Sequence, residues 1–249
     1  MAEYMVAGSS ISGISAVRLL LGLGKSVLLY DGNVKLDGET VRNKVFEGEE
    51  SLRSREGLLS IYIGELTADV LRGVRVCVLS PGIAQDSPFM DIVRICGIEI
   101  TGEVELAYTY AKGKLAAITG TNGKTTLTNL IADLLTKNGY NVLSNRLGSN
   151  INSGVATALL NGVSLFGKEK YPIAVLEVDE RSAFRVFPYI HPTYLVVTNL
   201  LRDSQRRNAH PHYIFDIISG AMPDDTPLIL NADDLISSNL KPDNPRVYY

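Results

Sequence analysis

Residues 115–137 constrain the fold more than any other stretch. "LAAIT" is a short apolar run, "GTNGKTT" a glycine-rich turn, and "TLTNLIADLLTKNG" carries apolar residues at helical spacing. A strand that passes through glycines straight into a helix predicts a parallel α/β sheet, because parallel strands need a helical crossover. Gly120 and Gly123 let the backbone turn tightly, so that successive N–H groups converge on an anion. The N-terminus of the following helix adds a partial positive charge. In that setting Lys124 is placed to reach β- and γ-phosphates and the Thr125 hydroxyl to hold Mg²⁺. Ile118 stands where the common spacing G-x-x-x-x-G-K-[ST] has its first glycine, so the loop is a variant of that pattern.

The rest of the chain repeats the alternation. "YMVAG", "KSVLLYDGN", "SIYIG", "VRVCVLSPG" and "IEITG" read as strands. "SSISGISAVRLLLGLG", with Gly24 as its stop, "SPFMDIVRICG" and "EVELAYTYAKGK" read as helices. The continuous apolar character of "SIYIG" and "VRVCVLSPG" predicts strands buried on both faces. After a Lys/Gly link near Lys112–Lys114 the pattern restarts, with further strands in "YNVLSN", "IAVLEVDE", "TYLVVTNL" and "PLILNADD". The fold class is therefore α/β: a doubly wound parallel sheet over 1–113, then a second α/β domain over 114–249.

Composition excludes several classes. The chain has 249 residues, 45% hydrophobic and 20% charged, with a net charge of −3. That balance argues against attachment to nucleic acid by bulk charge. No apolar run reaches the roughly 18 residues of a membrane helix, and the N-terminus lacks the basic and apolar regions of a signal peptide. A cytoplasmic protein without membrane insertion is expected. Cys77 and Cys96 lack the paired spacing of a zinc site; they are expected to be buried thiols, with a disulfide as the alternative.

Two further stretches carry chemistry. Glu177 sits within an apolar strand run, and a carboxylate opposite a phosphate loop is the oxygen ligand that suits Mg²⁺. Asp179, two residues on, shares its face if the strand is regular, while Asp179 and Glu180 read equally as a solvated strand end. At the N-terminus, "VAGSSISG" follows the dinucleotide fingerprint with Gly8 and Gly13, but Ser10 replaces the central glycine. Asp31 ends the next strand, where a carboxylate meets a ribose hydroxyl. A purely structural strand-to-helix turn is the alternative.

"GTNGKTT", "VLEVDE", "VVTNLLRDSQRRN" and "LILNADD", in that order, resemble the ATP-binding motifs of the Mur ligases and the related folylpolyglutamate synthetases. The resemblance implies an N-terminal Rossmann-like domain that binds UDP, followed by a P-loop NTPase-like Mur ligase central domain. It implies ATP and Mg²⁺ as cofactors, and an ATP-dependent amide ligase that activates a carboxylate as an acyl-phosphate for attack by an amine. By the motif match, Thr121, Asn122 and Thr126 join Gly120, Gly123, Lys124 and Thr125 at ATP. Asn231 approaches adenine, Glu177 and Thr125 hold the metal, and Lys124 and Glu177 are the catalytic pair.

The N-terminal half is similar to the D-glutamate-adding branch of the family, which acts on a UDP-N-acetylmuramoyl peptide and an amino acid. That similarity implies Ile11 and Ser12 at the diphosphate, Asp31 and Gly32 near uracil, Ser80, Pro81 and Gly82 lining the site, and Asn150 at the sugar-peptide. Ser204 stands where the family has a histidine for a second metal. His210 and His212, close by, read as ligands or as part of a helix entry at Pro211. "IFDIISGAM" lacks the family's carbamoylated lysine. "EVDE" and "NLLRDSQRR" are more similar to the ATPase subunit of lipid II amidotransferases, which implies a glutaminase partner as an alternative. A UDP-sugar sensor without chemistry is the third reading. Since the family's third, closing domain does not fit into 249 residues, a fragment that does not complete ligation alone is expected.

Overall fold

The computed structural model describes residues 1–111, 113–146, 150–162, 171–201 and 211–249. The chain divides into two compact units, with Met1–Ala111 the body of the first and Lys112–Ala158 with Glu169–Tyr249 the body of the second. Each is built on an all-parallel sheet.

The first sheet contains β1 (Tyr4–Ala7), β2 (Val27–Asp31), β3 (Leu59–Ile63), β4 (Val76–Leu79) and β5 (Glu99–Gly102), in the order β3-β2-β1-β4-β5. The helices are α1 (Ile11–Gly22), α2 (Gly38–Phe46), α3 (Pro88–Ile95) and α4 (Glu103–Tyr110), with a 3-10 stretch over Glu50–Leu58. The order reverses direction at β1, and the crevice between β1 and β4 at their C-terminal ends is where such sheets bind ligands. Strands β1, β2 and β4 are buried because neighbours flank them; β3 is an edge strand with Ser60 exposed, so the expectation of burial on both faces fails there. Met5, Leu28, Tyr30, Leu79, Met90 and Val93 form part of the core. Neither α2 nor the 3-10 stretch was evident from periodicity. Helix α2 is held at its start by Asp37, whose carboxylate accepts from the Thr40 amide at 2.7 Å.

The second sheet contains β6 (Lys114–Thr119), β7 (Val142–Ser144), β8 (Ile173–Glu177), β9 (Tyr194–Val197), β10 (Leu228–Leu230) and β11 (Arg246–Tyr248), in the order β11-β10-β9-β6-β8-β7. Helices α5 (Lys124–Lys137), α6 (Asn152–Gly162), α7 (Ala183–Val186) and α8 (Pro211–Ala221), with a 3-10 turn over Ser237–Asn239, complete the described elements. Ile118, Ala132, Val175 and Val196 pack α5 onto this sheet. Strand β6 lies centrally between β8 and β9, with Ile118 in register with both Glu177 and Val196. The turn after β6 is thereby set beside the C-terminal ends of both neighbours.

Among the described residues, no helix is long and apolar enough to cross a membrane. Both cysteines are free. Cys77 is buried on β4, and burial pushes its thiol up to about 12. Cys96 is exposed just past the end of α3, contrary to the expected burial, because the chain turns into solvent there through Gly97.

Candidate active site

The loop after β6 is shaped by two glycines in the left-handed region. Gly120 has φ +125° and Gly123 φ +79°. A Cβ at Gly120 would lie 2.3 Å from Thr198 Oγ1, so no side chain fits there. At Gly123 there is open space, and the requirement is the backbone angle alone. Helix α5 begins immediately at Lys124. The N–H groups of Lys124, Thr125 and Thr126 lie in its first turn, where an α-helix supplies no partner of its own. These are the donors that an anion at the helix terminus would meet.

Thr121 and Asn122 are placed differently from the expectation that the loop amides converge on an anion. The Thr121 amide donates to the Asn199 carbonyl at 2.9 Å, and the Asn122 amide to Asn199 Oδ1 at 3.1 Å. Thr121 Oγ1 also accepts from the Leu201 amide at 3.0 Å, and the Asn122 carbonyl accepts from Thr198 Oγ1 at 2.7 Å. The segment after β9 thus braces the front of the loop, leaving the rear to face a ligand. Asn199 belongs to the "VVTNL" motif, but its bracing role follows from sheet order rather than from sequence.

Thr125 and Glu177 come together. Thr125 Oγ1 donates to Glu177 Oε1 at 3.0 Å, and Asn150 Nδ2 donates to the same oxygen at 2.7 Å. Asn150, expected at a sugar-peptide, therefore lies against the expected metal carboxylate. Glu177 is only 8% exposed. A buried carboxylate needs such donors. Its backbone is held by buried Asn145, which accepts from the Glu177 amide at 2.9 Å and donates to the Glu177 carbonyl at 2.8 Å. Hydroxyl, carboxylate and amide oxygen are the hard donors that suit Mg²⁺, which takes few protein ligands and leaves positions for phosphate and water. The residues present thus fit the ion. Among the described residues no group of three or more His, Cys, Asp or Glu could hold a metal.

Asp179 does not share the face of Glu177. Strand β8 ends at Glu177, and the Asp179 carboxylate accepts from the Arg181 amide at 3.0 Å. A short polar side chain that bonds its own backbone two residues on favours a turn over an extended strand. Glu180, for which a solvated strand end was one of two readings, is 6% exposed and meets Lys124 Nζ at 3.2 Å. The contact is an ion pair rather than an aligned hydrogen bond, since Glu180 Oε2 has no hydrogen-bond partner.

Asn231, expected near adenine, uses its amide locally. Its Nδ2 donates to the Thr198 carbonyl at 3.0 Å and its Oδ1 accepts from the Asp233 amide at 3.0 Å. It ties β10 to the end of β9. Asp203, Ser204 and His210 lie outside the described residues, whereas His212 is in the first turn of α8, after Pro211.

In the first unit a cavity of about 520 Å³ opens at the C-terminal ends of β1, β2 and β4. Asp31, Gly32, Ser80 and Gly82 line it, together with Gly8, Ser9 and Phe89. Phe89 packs on Tyr30 with ring centres 5.0 Å apart. The Asp31 carboxylate accepts from Ser9 Oγ at 2.6 Å, the Ser9 amide at 3.0 Å and the Asn33 amide at 3.0 Å. Burial alone pushes this carboxyl up, but those hydrogen bonds outweigh it and hold it below its ordinary value. Ser12 and Pro81 are not on this cavity's wall, and Ile11 lines an adjoining cavity of about 420 Å³ that shares Ser9 and Ser10 with it. Ile11 is exposed on the first turn of α1, and Ser12 is buried behind the loop. Gly13 is obligatory: a Cβ there would lie 2.0 Å from the Gly8 carbonyl oxygen. It is the third glycine of the fingerprint, the one that lets helix and strand pack closely.

A family profile described as the Mur ligase middle domain matches residues 118–247, just over half of the chain. The chain belongs to the Mur ligase family. Among curated Mur ligases, it is 35% identical over 204 residues to a UDP-N-acetylmuramoylalanine–D-glutamate ligase of Lachnospira eligens, spanning 82% of this chain and 41% of that protein. The corresponding ligase of a Thermoanaerobacter species is 28% identical over 242 residues, spanning 96% and 49%. The chain therefore spans less than half the length of these Mur ligases. Among solved structures, a murein peptide ligase from Psychrobacter arcticus superposes on the whole chain, covering 53% of its own, with a TM-score of 0.63 at 19% identity. The UDP-N-acetylmuramate–alanine ligase of Thermotoga maritima gives 0.54 at 21% identity, covering 99% of this chain and 53% of its own. These likenesses extend the Mur ligase fold across both units.

Proposed function

We propose that this chain supplies the UDP-binding domain, 1–113, and the ATP-binding domain, 114–249, of an ATP-dependent amide ligase. Its substrate is a UDP-N-acetylmuramoyl peptide, and its place is in peptidoglycan precursor synthesis. The observation that carries the reading is the contact of Thr125 with Glu177 at the phosphate loop. Residues 52 apart in sequence put a hydroxyl and a carboxylate where a Mg²⁺ bound to nucleotide phosphates finds both.

In this reading the first-turn amides of α5 and Lys124 bind the phosphates of ATP and stabilise charge that develops on the transferred phosphoryl group. Thr125 and Glu177 would hold Mg²⁺, which neutralises phosphate charge when bound. Asn150 and Asn145 orient the Glu177 carboxylate and its backbone. The muramoyl carboxylate takes the phosphoryl group to give an acyl-phosphate, and the amine of the incoming amino acid displaces phosphate. The cavity lined by Asp31, Gly32, Ser80 and Gly82 takes the UDP end of the substrate. The names of the relatives make UDP-N-acetylmuramoylalanine and D-glutamate the first pair to test.

The experiment is ADP formation by the natural protein that contains this chain, with a panel of UDP-muramoyl substrates and amino acids. Stimulation that requires a muramoyl substrate and an amino acid together is expected. ADP formation indifferent to every muramoyl substrate would overturn the reading.

A further inference from the structure

Glu103 is the first residue of α4 and is 1% exposed. Its Oε1 accepts a short hydrogen bond from Ser80 Oγ, and the nearby Ser12 hydroxyl favours the charged form of its carboxyl. Ser80 follows β4 on the cavity wall, whereas Ser12 lies in the first turn of α1. Through Ser80, this carboxyl reaches both loops that meet at the mouth of the sheet. The Ser80 hydroxyl it holds is wedged against both glycines of the β1–α1 loop. A Cβ at Gly8 would lie 2.9 Å from Ser80 Oγ, and one at Gly13 would lie 3.2 Å from it.

We propose that Glu103 is a positioning residue for this cavity, holding the β1–α1 and β4–α3 loops from behind at the spacing that a bound nucleoside diphosphate requires. The proposal rests on the reading of the cavity as the UDP site. Glu103 acts through Ser80 and does not touch the ligand.

The charge state of Glu103 matters to an anion in front of it. Burial pushes its carboxyl up, opposed by the two serine hydroxyls, and Oε2 has no hydrogen-bond partner. The charged and titratable groups of the neighbouring elements are engaged or exposed. On α1, Arg18 donates to the carbonyls of Lys44, Val45 and Glu47. On β4, Cys77 is a neutral buried thiol. On β5, Glu99 is exposed, and on α4 Glu105 accepts from Thr101. Asp31, across the cavity, is held by Ser9 and Asn33. A neutral Glu103 keeps negative charge away from the rear of the loop, and its ionisation puts a buried anion there.

The test is calorimetric titration of the 249-residue chain with UDP, for wild type, Glu103→Gln and Glu103→Ala, at several pH values. Glu103→Gln keeps shape and neutrality, and is expected to bind within about twofold of wild type at low pH and more tightly than wild type as pH rises. Glu103→Ala is expected to bind about tenfold more weakly than Glu103→Gln at every pH, the scale of one lost buried hydrogen bond. Equal affinity of Glu103→Ala and wild type at low pH would overturn this proposal alone. So would a folded Glu103→Gln as weak as the alanine variant, because the neutral isostere should rescue. Wild type that binds no UDP would overturn the reading of the cavity itself and this proposal with it.

Discussion

Lys124 and Glu180 form a nearly buried ion pair at the phosphate loop, with 3.2 Å between Nζ and the carboxylate and side-chain exposures of 13% and 8%. The cation expected to meet phosphate is already neutralised by an internal anion. A β- or γ-phosphate that arrives at the loop has to compete with Glu180 for it, and Glu180 also holds the lysine side chain pointed into the site.

This pair should couple in stability. Removing one partner of a buried ion pair leaves an uncompensated charge and costs about 3 kcal/mol. Glu180→Ala and Lys124→Ala are each expected to lower the urea midpoint, and the double variant to lose less than their sum. A coupling of about 1 kcal/mol or more is expected from the double-mutant cycle. Strict additivity would mean that the contact contributes nothing.

Glu177 and Thr125 should matter to nucleotide only when Mg²⁺ is present. In titrations of the chain, Glu177→Gln is expected to weaken MgATP binding by about tenfold or more, the scale of a lost charge-assisted contact. Binding of ATP with the metal chelated should change little. An equal loss with and without Mg²⁺ would point to loop distortion rather than a metal contact.

The two loop glycines should respond unequally to alanine. At Gly120 the new Cβ collides with Thr198 in addition to the strain of φ +125°. At Gly123 only the left-handed angle is strained, at about 1–2 kcal/mol. Gly120→Ala is expected to be the more destabilising in chemical denaturation and to abolish MgATP binding, while Gly123→Ala folds with a smaller loss. The reverse order would contradict this loop geometry.

Two carboxyls of the first unit should give opposite pH dependence. The Glu103 carboxyl is raised on folding. The stability it contributes is full below the ordinary glutamate value of about 4.3 and is lost as pH rises through the folded value. The urea midpoint of wild type should therefore fall relative to Glu103→Gln over that rise and then run parallel. Asp31 is lowered on folding. Its contribution is full above the ordinary aspartate value of about 3.9 and is lost as pH falls through the folded value. Asp31→Asn should flatten the acid limb of the denaturation profile and leave the neutral limb parallel to wild type.

What was legible in sequence was local. Apolar period and glycine position were enough for the strands and helices around both loops, since periodicity and left-handed turns are properties of neighbouring residues. They also singled out Lys124 and Thr125, while Glu177 came from the resemblance of "VLEVDE" to a family motif. Helix α2 was missed because Val41, Val45 and Phe46 are its only apolar residues, too few for a clear period.

Tertiary structure alone decided the partners. Strand β6 has β8 and β9 as neighbours, not the strand that follows it, and this non-consecutive order brings Glu177 to Thr125 and Asn199 to Thr121. No local pattern distinguishes Glu180, which points at Lys124, from Asp179, which closes a turn one residue earlier. Likewise, Ser12 and Pro81 lie beside residues that line the cavity without lining it, while Ile11 lines the adjoining one. Sequence by itself determined which chemistry the loops carry. The register and order of the sheets, set by packing between residues dozens of positions apart, determined which side chains share it.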